Sequence, residues 1–84
     1  KLLKEKQNFD VTLLDPPRQG IGGLAGEIAS LTKKKIVYIS CDPATLVRDI
    51  LDLQHHDFHI VSVQPFDMFP QTHHIETVAI LEKN

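Results

Sequence analysis

One thiol dominates the reactive inventory of this 84-residue chain: Cys41, set between Ser40 and Asp42 and followed by Pro43. A cysteine at such a place is either a nucleophile, which acts as the thiolate, or a small buried hydrophobe. Helix-start N–H groups would favour the thiolate there, and the Asp42 carboxylate would oppose them. A second cluster, Asp15-Pro16-Pro17-Arg18, puts a carboxylate and a guanidinium on a stiff turn. Asp15 there lines a ligand site or is a solvated turn residue; Arg18 contacts phosphate or is a surface charge. Glu76, after His73 and His74, suits a general base or an exposed strand-edge glutamate, and its surroundings alone favour the latter. Phe69 packs its loop or stacks on a base. Arg48 and Asp49 read as a solvated face or a local ion pair. A lone cysteine forms no internal disulfide, and neither His55-His56 nor His73-His74 has metal-ligand spacing with other donors.

The elements that must carry these groups follow from hydrophobic spacing. Phe9 to Leu14 is an apolar strand stopped by two prolines that donate nothing to a ladder. A glycine-rich turn leads to a helix from Leu24 to about Thr32, with Leu24, Ile28 and Leu31 on one face. Lys33 to Lys35 introduce Ile36 to Ser40, an apolar, β-branched run expected to be covered on both faces. A second helix opens with Asp42 as N-cap and Pro43 at its first position, and buries Leu46, Ile50 and Leu53. Phe58–Val63 and Glu76–Leu81 are two more strands without a helix between them, hence an antiparallel pair. Strand–helix–strand–helix–strand–strand is the second half of a doubly wound α/β domain, with right-handed parallel crossovers. Such sheets bind ligands beyond the carboxyl ends of their parallel strands, where Asp15–Arg18 and Ser40–Asp42 both fall.

Composition sets the outer limits. The 42% hydrophobic content suits a globular domain, and no apolar run reaches the roughly 18 residues of a membrane span. A net charge of −2 gives no electrostatic sign of nucleic-acid binding. With no initiating Met and no leader, the expectation is a soluble, cytoplasmic segment of a longer protein.

Three blocks together resemble the RNA 5-methyluridine methyltransferases, which modify 23S rRNA or the T-loop of tRNA. They are Asp15 to Gly20, Val37 to Asp49 and Asp67 to Glu76, matching in order and spacing. The resemblance implies a Rossmann-like methyltransferase domain using S-adenosylmethionine, with Cys41 as nucleophile, Glu76 as the proton-abstracting base and Asp15 lining the cofactor site. Arg18 and Phe69 become candidate RNA contacts. Asp42 stands where the family commonly has asparagine, and Val47 where it has alanine. The resemblance also implies that residues 1–84 are the C-terminal portion of the catalytic domain. The glycine-rich cofactor turn, RNA-binding regions and any iron–sulfur cluster would then lie N-terminal to it, and no metal site within it. Three rivals compare less well. An RNA cytosine-5-methyltransferase would carry a second cysteine where Arg18 stands, an amino-group methyltransferase would have an aromatic there, and a non-catalytic degenerate domain would not keep all three blocks.

Overall fold

The computed structural model describes residues 9–66 and 76–84. Its elements run β1 (Phe9–Leu14), α1 (Ala25–Leu31), β2 (Thr32–Ser40), α2 (Pro43–Gln54), β3 (Phe58–Phe66) and β4 (Glu76–Lys83). They form one mixed sheet in the order β1-β2-β4-β3. β1 and β2 are parallel, and β4 inserts antiparallel between β2 and β3. The expected antiparallel pair is therefore present, and β4 also closes against β2.

Both helices cover one face. Leu14, Ile36, Tyr38, Ala79 and Leu81 of the strands meet Ile28 of α1 and Leu46, Ile50 and Leu53 of α2 in a single core. Fully burying one such aliphatic chain stabilises by about 1.5–3 kcal/mol. The other face carries Val11 and Leu13, exposed at 53% and 62%, with Val37, Ile39, Val78 and Ile80 only half-buried. Among the described residues the expectation that β2 is covered on both faces is not met, because no element there packs on that side.

Two boundaries also shift. Leu24 is the exposed N-cap of α1, not a core residue, and the buried face is Ala25, Ile28 and Ala29. Small residues at i and i+4 let the short helix lie close to the sheet. No loop separates α1 from β2. Thr32 caps the helix, donates its hydroxyl to the Ile28 carbonyl (2.8 Å) and meets the Thr12 hydroxyl (2.6 Å). Lys33 to Lys35 consequently belong to the strand, where Lys35 pairs with Glu82 at 3.7 Å.

Candidate active site

The site is assembled by strand register. In the parallel pair Leu14 lies beside Tyr38, so Asp15 follows at the level of Ile39. In the antiparallel pair Ser40 lies opposite Thr77. Cys41 is the residue after β2 and Glu76 the first residue of β4, so both adjoin that last pair. Opposed residues in such a ladder have Cα atoms about 5 Å apart, and β1 and β4, on either side of β2, are roughly 10 Å apart. Asp15, Cys41 and Glu76 therefore gather at the carboxyl end of β1 and β2. Asp15, Arg18 and Cys41 are exposed and Glu76 is half-buried. Among the described residues Arg18 makes no hydrogen bond or ion pair with Cys41 or Glu76, and Phe69 lies outside those residues. Phe66, 45% exposed and paired with Glu76 on β3, joins the same end of the sheet, a placement only the register reveals.

Local hydrogen bonds fix the thiol's backbone. The Ser40 hydroxyl donates to the Asp42 carbonyl and accepts from the Asp42 N–H, both at 3.0 Å, bracketing Cys41 in a bend. Asp42 is the N-cap, as its type predicts: Oδ1 accepts from the Ala44 N–H (3.1 Å) and the Thr45 N–H (3.3 Å). Asp42, and not the thiol, thus takes these helix-start donors.

The surprise is Asp49. Of the two expectations, the local ion pair is present, with Arg48 at 3.3 Å, but the solvated face is not: Asp49 is fully buried. Its Oδ2 accepts from the Ile21 N–H (3.0 Å) and from the Tyr38 hydroxyl, and its Oδ1 from Arg48 Nε and Nη2, both at 3.3 Å. Burial, reinforced by the bond to Asp49, raises the Tyr38 pKa well above a tyrosine's usual 10.0. A signal was available in the sequence, since Asp49 lies three residues after Leu46 and four before Leu53, on the buried stripe. At the far end of the sheet, Lys33 to Lys35 and Lys83 line a shallow concavity with Glu82 and Asn84, remote from the Cys41 end.

The fold has a solved counterpart. A structure described as a putative methyltransferase from Thermoplasma acidophilum superposes with a TM-score of 0.73 at 13% identity, covering 98% of this chain and 41% of that one. The fold is accordingly of the Rossmann-like α/β kind. The sequence narrows the class, because the model of the tRNA (uracil-5-)-methyltransferase family matches residues 2–84. The chain belongs to that family. An uncharacterized RNA methyltransferase of Thermotoga maritima is 55% identical over 75 residues, which are 88% of this chain and 17% of the relative. The 23S rRNA (uracil(1939)-C(5))-methyltransferase RlmD of Acinetobacter baylyi is 46% identical over 77 residues, 92% of this chain and 17% of the relative. The chain thus spans about a sixth of the length of these relatives.

Proposed function

We propose that this chain is the C-terminal portion of the catalytic domain of an enzyme that methylates carbon 5 of a uridine in 23S rRNA or tRNA, through a covalent adduct with Cys41. The observation that supports the reading is the β2–β4 register, whose last pair, Ser40 opposite Thr77, leaves Cys41 and Glu76 as the adjoining residues at the carboxyl end of the parallel strands. S-adenosylmethionine supplies an electrophilic methyl group when bound, and the exposed Asp15 carboxylate is of the right charge to face its sulfonium. Cys41 attacks carbon 6 of the unstacked uracil as a thiolate, and the ring electrons move to carbon 5 and the carbonyl as an enolate. That enolate is what makes carbon 5 nucleophilic enough to be methylated. Glu76 then takes the carbon 5 proton, the carbon 5–carbon 6 double bond re-forms, and the sulfur–carbon 6 bond breaks to release the thiolate. The target base must leave its stack to reach the thiol, and Arg18 and Phe69 are assigned to holding the RNA. The uncovered apolar face and the edge position of β1 support a further, N-terminal half of the domain packing there. With its one cysteine assigned to the nucleophile, the chain has no thiol for an iron–sulfur cluster, which would belong to that N-terminal part. A working location in the cytoplasm goes with this reading.

The test uses the full-length enzyme, S-adenosylmethionine and RNA carrying 5-fluorouridine. Fluorine at carbon 5 cannot be abstracted as a proton, so the adduct is trapped and migrates as a protein–RNA species in denaturing gels. Cys41→Ala should form none. A Cys41→Ala enzyme that still forms the adduct removes the assignment.

A further inference from the structure

Asp49 does something the reaction scheme above does not use. It is a charged residue on the buried stripe of α2, and three different elements converge on its carboxylate: β2 through Tyr38, the turn after β1 through Ile21, and its own helix through Arg48. Arg48 extends the same grip, donating Nη2 to the Gln19 carbonyl. Between these two anchors lies Gly20, whose N–H closes the turn onto the Pro17 carbonyl at 2.8 Å. A side chain at Gly20 would run into Asp49, Thr45 and Arg48, so backbone and helix are in direct apposition. Residues 19, 20 and 21 are thereby all fixed to α2.

A purely structural reading explains this poorly. Replacing a buried ion pair by apolar residues of similar volume is often neutral or stabilising, so the core alone would be served by another aliphatic beside Leu46, Ile50 and Leu53. A carboxylate is required where an N–H, a hydroxyl and a guanidinium must meet at one point. What that point joins is specific. The turn it grips begins at Asp15-Pro16-Pro17-Arg18, whose prolines leave few free torsions. The helix that grips it starts immediately after Cys41.

We propose that Asp49 and Arg48 are positioning residues that lock the turn bearing Asp15 and Arg18 to the helix that follows Cys41. The proposal rests on the methyltransferase reading and adds to it the device that sets the cofactor side of the site against the nucleophile. A misplacement of about 1 Å by a remote change can cost on the order of 10²-fold in rate, which is the scale expected when this clamp opens.

The experiment compares wild type, Arg48→Ala, Asp49→Asn and a core control, Leu53→Val, in the full-length enzyme. Tritiated S-adenosylmethionine and unmodified 23S rRNA and tRNA transcripts give kcat and KM; hydrogen exchange follows the amides of residues 19–21, and melting reports stability. Arg48 is more than half exposed, its side chain at 53%, so its truncation should move the melting point little. The expected result is faster exchange at residues 19–21 in both clamp variants. With it, kcat/KM for S-adenosylmethionine falls roughly 10- to 100-fold, out of proportion to the change in melting. Leu53→Val should lower the melting temperature yet hold kcat/KM within about twofold of wild type. Clamp variants that keep wild-type kcat/KM, or losses that track melting across all three variants, overturn the proposal and leave the functional reading standing. A wild-type enzyme that methylates no uridine overturns that reading, and the proposal with it.

Discussion

Gly20 provides the sharpest quantitative test of the turn. Its φ is +87°, a region in which an L side chain costs about 1–2 kcal/mol. A Cβ built there would lie within 3.0 Å of Asp49 Oδ2, Thr45 Cγ2 and Arg48 Nη2, so the carboxylate must move and its bond from the Ile21 N–H is lost. A hydrogen bond to a charged group is worth about 1.5–3 kcal/mol. Gly20→Ala should therefore destabilise by about 2.5–5 kcal/mol. Gly22 supplies the comparison: its φ is +60°, but a Cβ there meets nothing within 4 Å. Gly22→Ala should carry the conformational cost alone, about 1–2 kcal/mol. Gly23, with neither a left-handed φ nor a neighbour in reach, should tolerate alanine or gain a few tenths of a kcal/mol (~0.4). Both left-handed positions share the unfolded-state effect of adding a methyl group, so their difference isolates the collision. Urea unfolding of the three variants, compared at unchanged m, measures that difference. If Gly20→Ala and Gly22→Ala fall within about 0.5 kcal/mol of each other, against the 1.5–3 expected from the lost bond, the close approach of the turn to α2 is refuted.

Three further outcomes are expected. Asp42→Ala removes the acceptor for the Ala44 and Thr45 N–H groups and should cost about 1 kcal/mol in urea unfolding, whereas Asp42→Asn should cost little; an alanine variant as stable as wild type would mean the cap contributes nothing. Glu76→Gln should leave addition and methyl transfer intact but block proton removal, so that a protein–RNA adduct accumulates on ordinary uridine RNA; normal turnover by this variant removes Glu76 as the base. Tyr38→Phe strips a donor from the buried Asp49 and should destabilise by about 1–3 kcal/mol at neutral pH. Because the native Tyr38 pKa is raised, its contribution is complete below the unfolded value of about 10 and declines as pH rises past it, when the unfolded chain releases a proton that the native state keeps. The stability gap between wild type and Tyr38→Phe should thus narrow between about pH 9 and pH 11; a constant gap would contradict the buried hydroxyl–carboxylate bond.

Much of this fold was legible because its signals are local. The β-branched run before Ser40, the Asp42-Pro43 start and the spacing of Leu46, Ile50 and Leu53 each specify one element within a few residues. The order β1-β2-β4-β3 was not, because it depends on where a strand pairs after a long excursion. The face of α1 was misjudged because leucine outweighs alanine in any hydrophobic pattern, while close packing on the sheet selects Ala25 and Ala29. Asp49 was missed for a related reason. Charge type argued for solvent or for the ion pair that Arg48 does form, and only its helical phase argued for the core. Of the candidate site residues, Asp15, Cys41 and Glu76 were singled out by type and position and given roles by the resemblance, while their nearness at one end of the sheet is a property of register.

That register is enforced by the core. Sliding β4 by one residue against β2 would turn every β4 side chain to the opposite face, sending Ala79 and Leu81 out and carrying Glu76 away from its place by Cys41. A slide by two preserves the faces and is the more dangerous error, since it shifts Glu76 by about 6.6 Å. Packing forbids it. The fully buried Tyr38 ring lies opposite Ala79, and Ile36 opposite Leu81. Moving Leu81 to the position across from Tyr38 would put two large side chains where one large and one small fit, and overpacking of that kind costs about 1–3 kcal/mol. The same slide would separate Lys35 from Glu82. A small residue at position 79, remote from any chemistry, thereby helps decide where the carboxylate of Glu76 stands, and the sequence specifies core and site in one stroke.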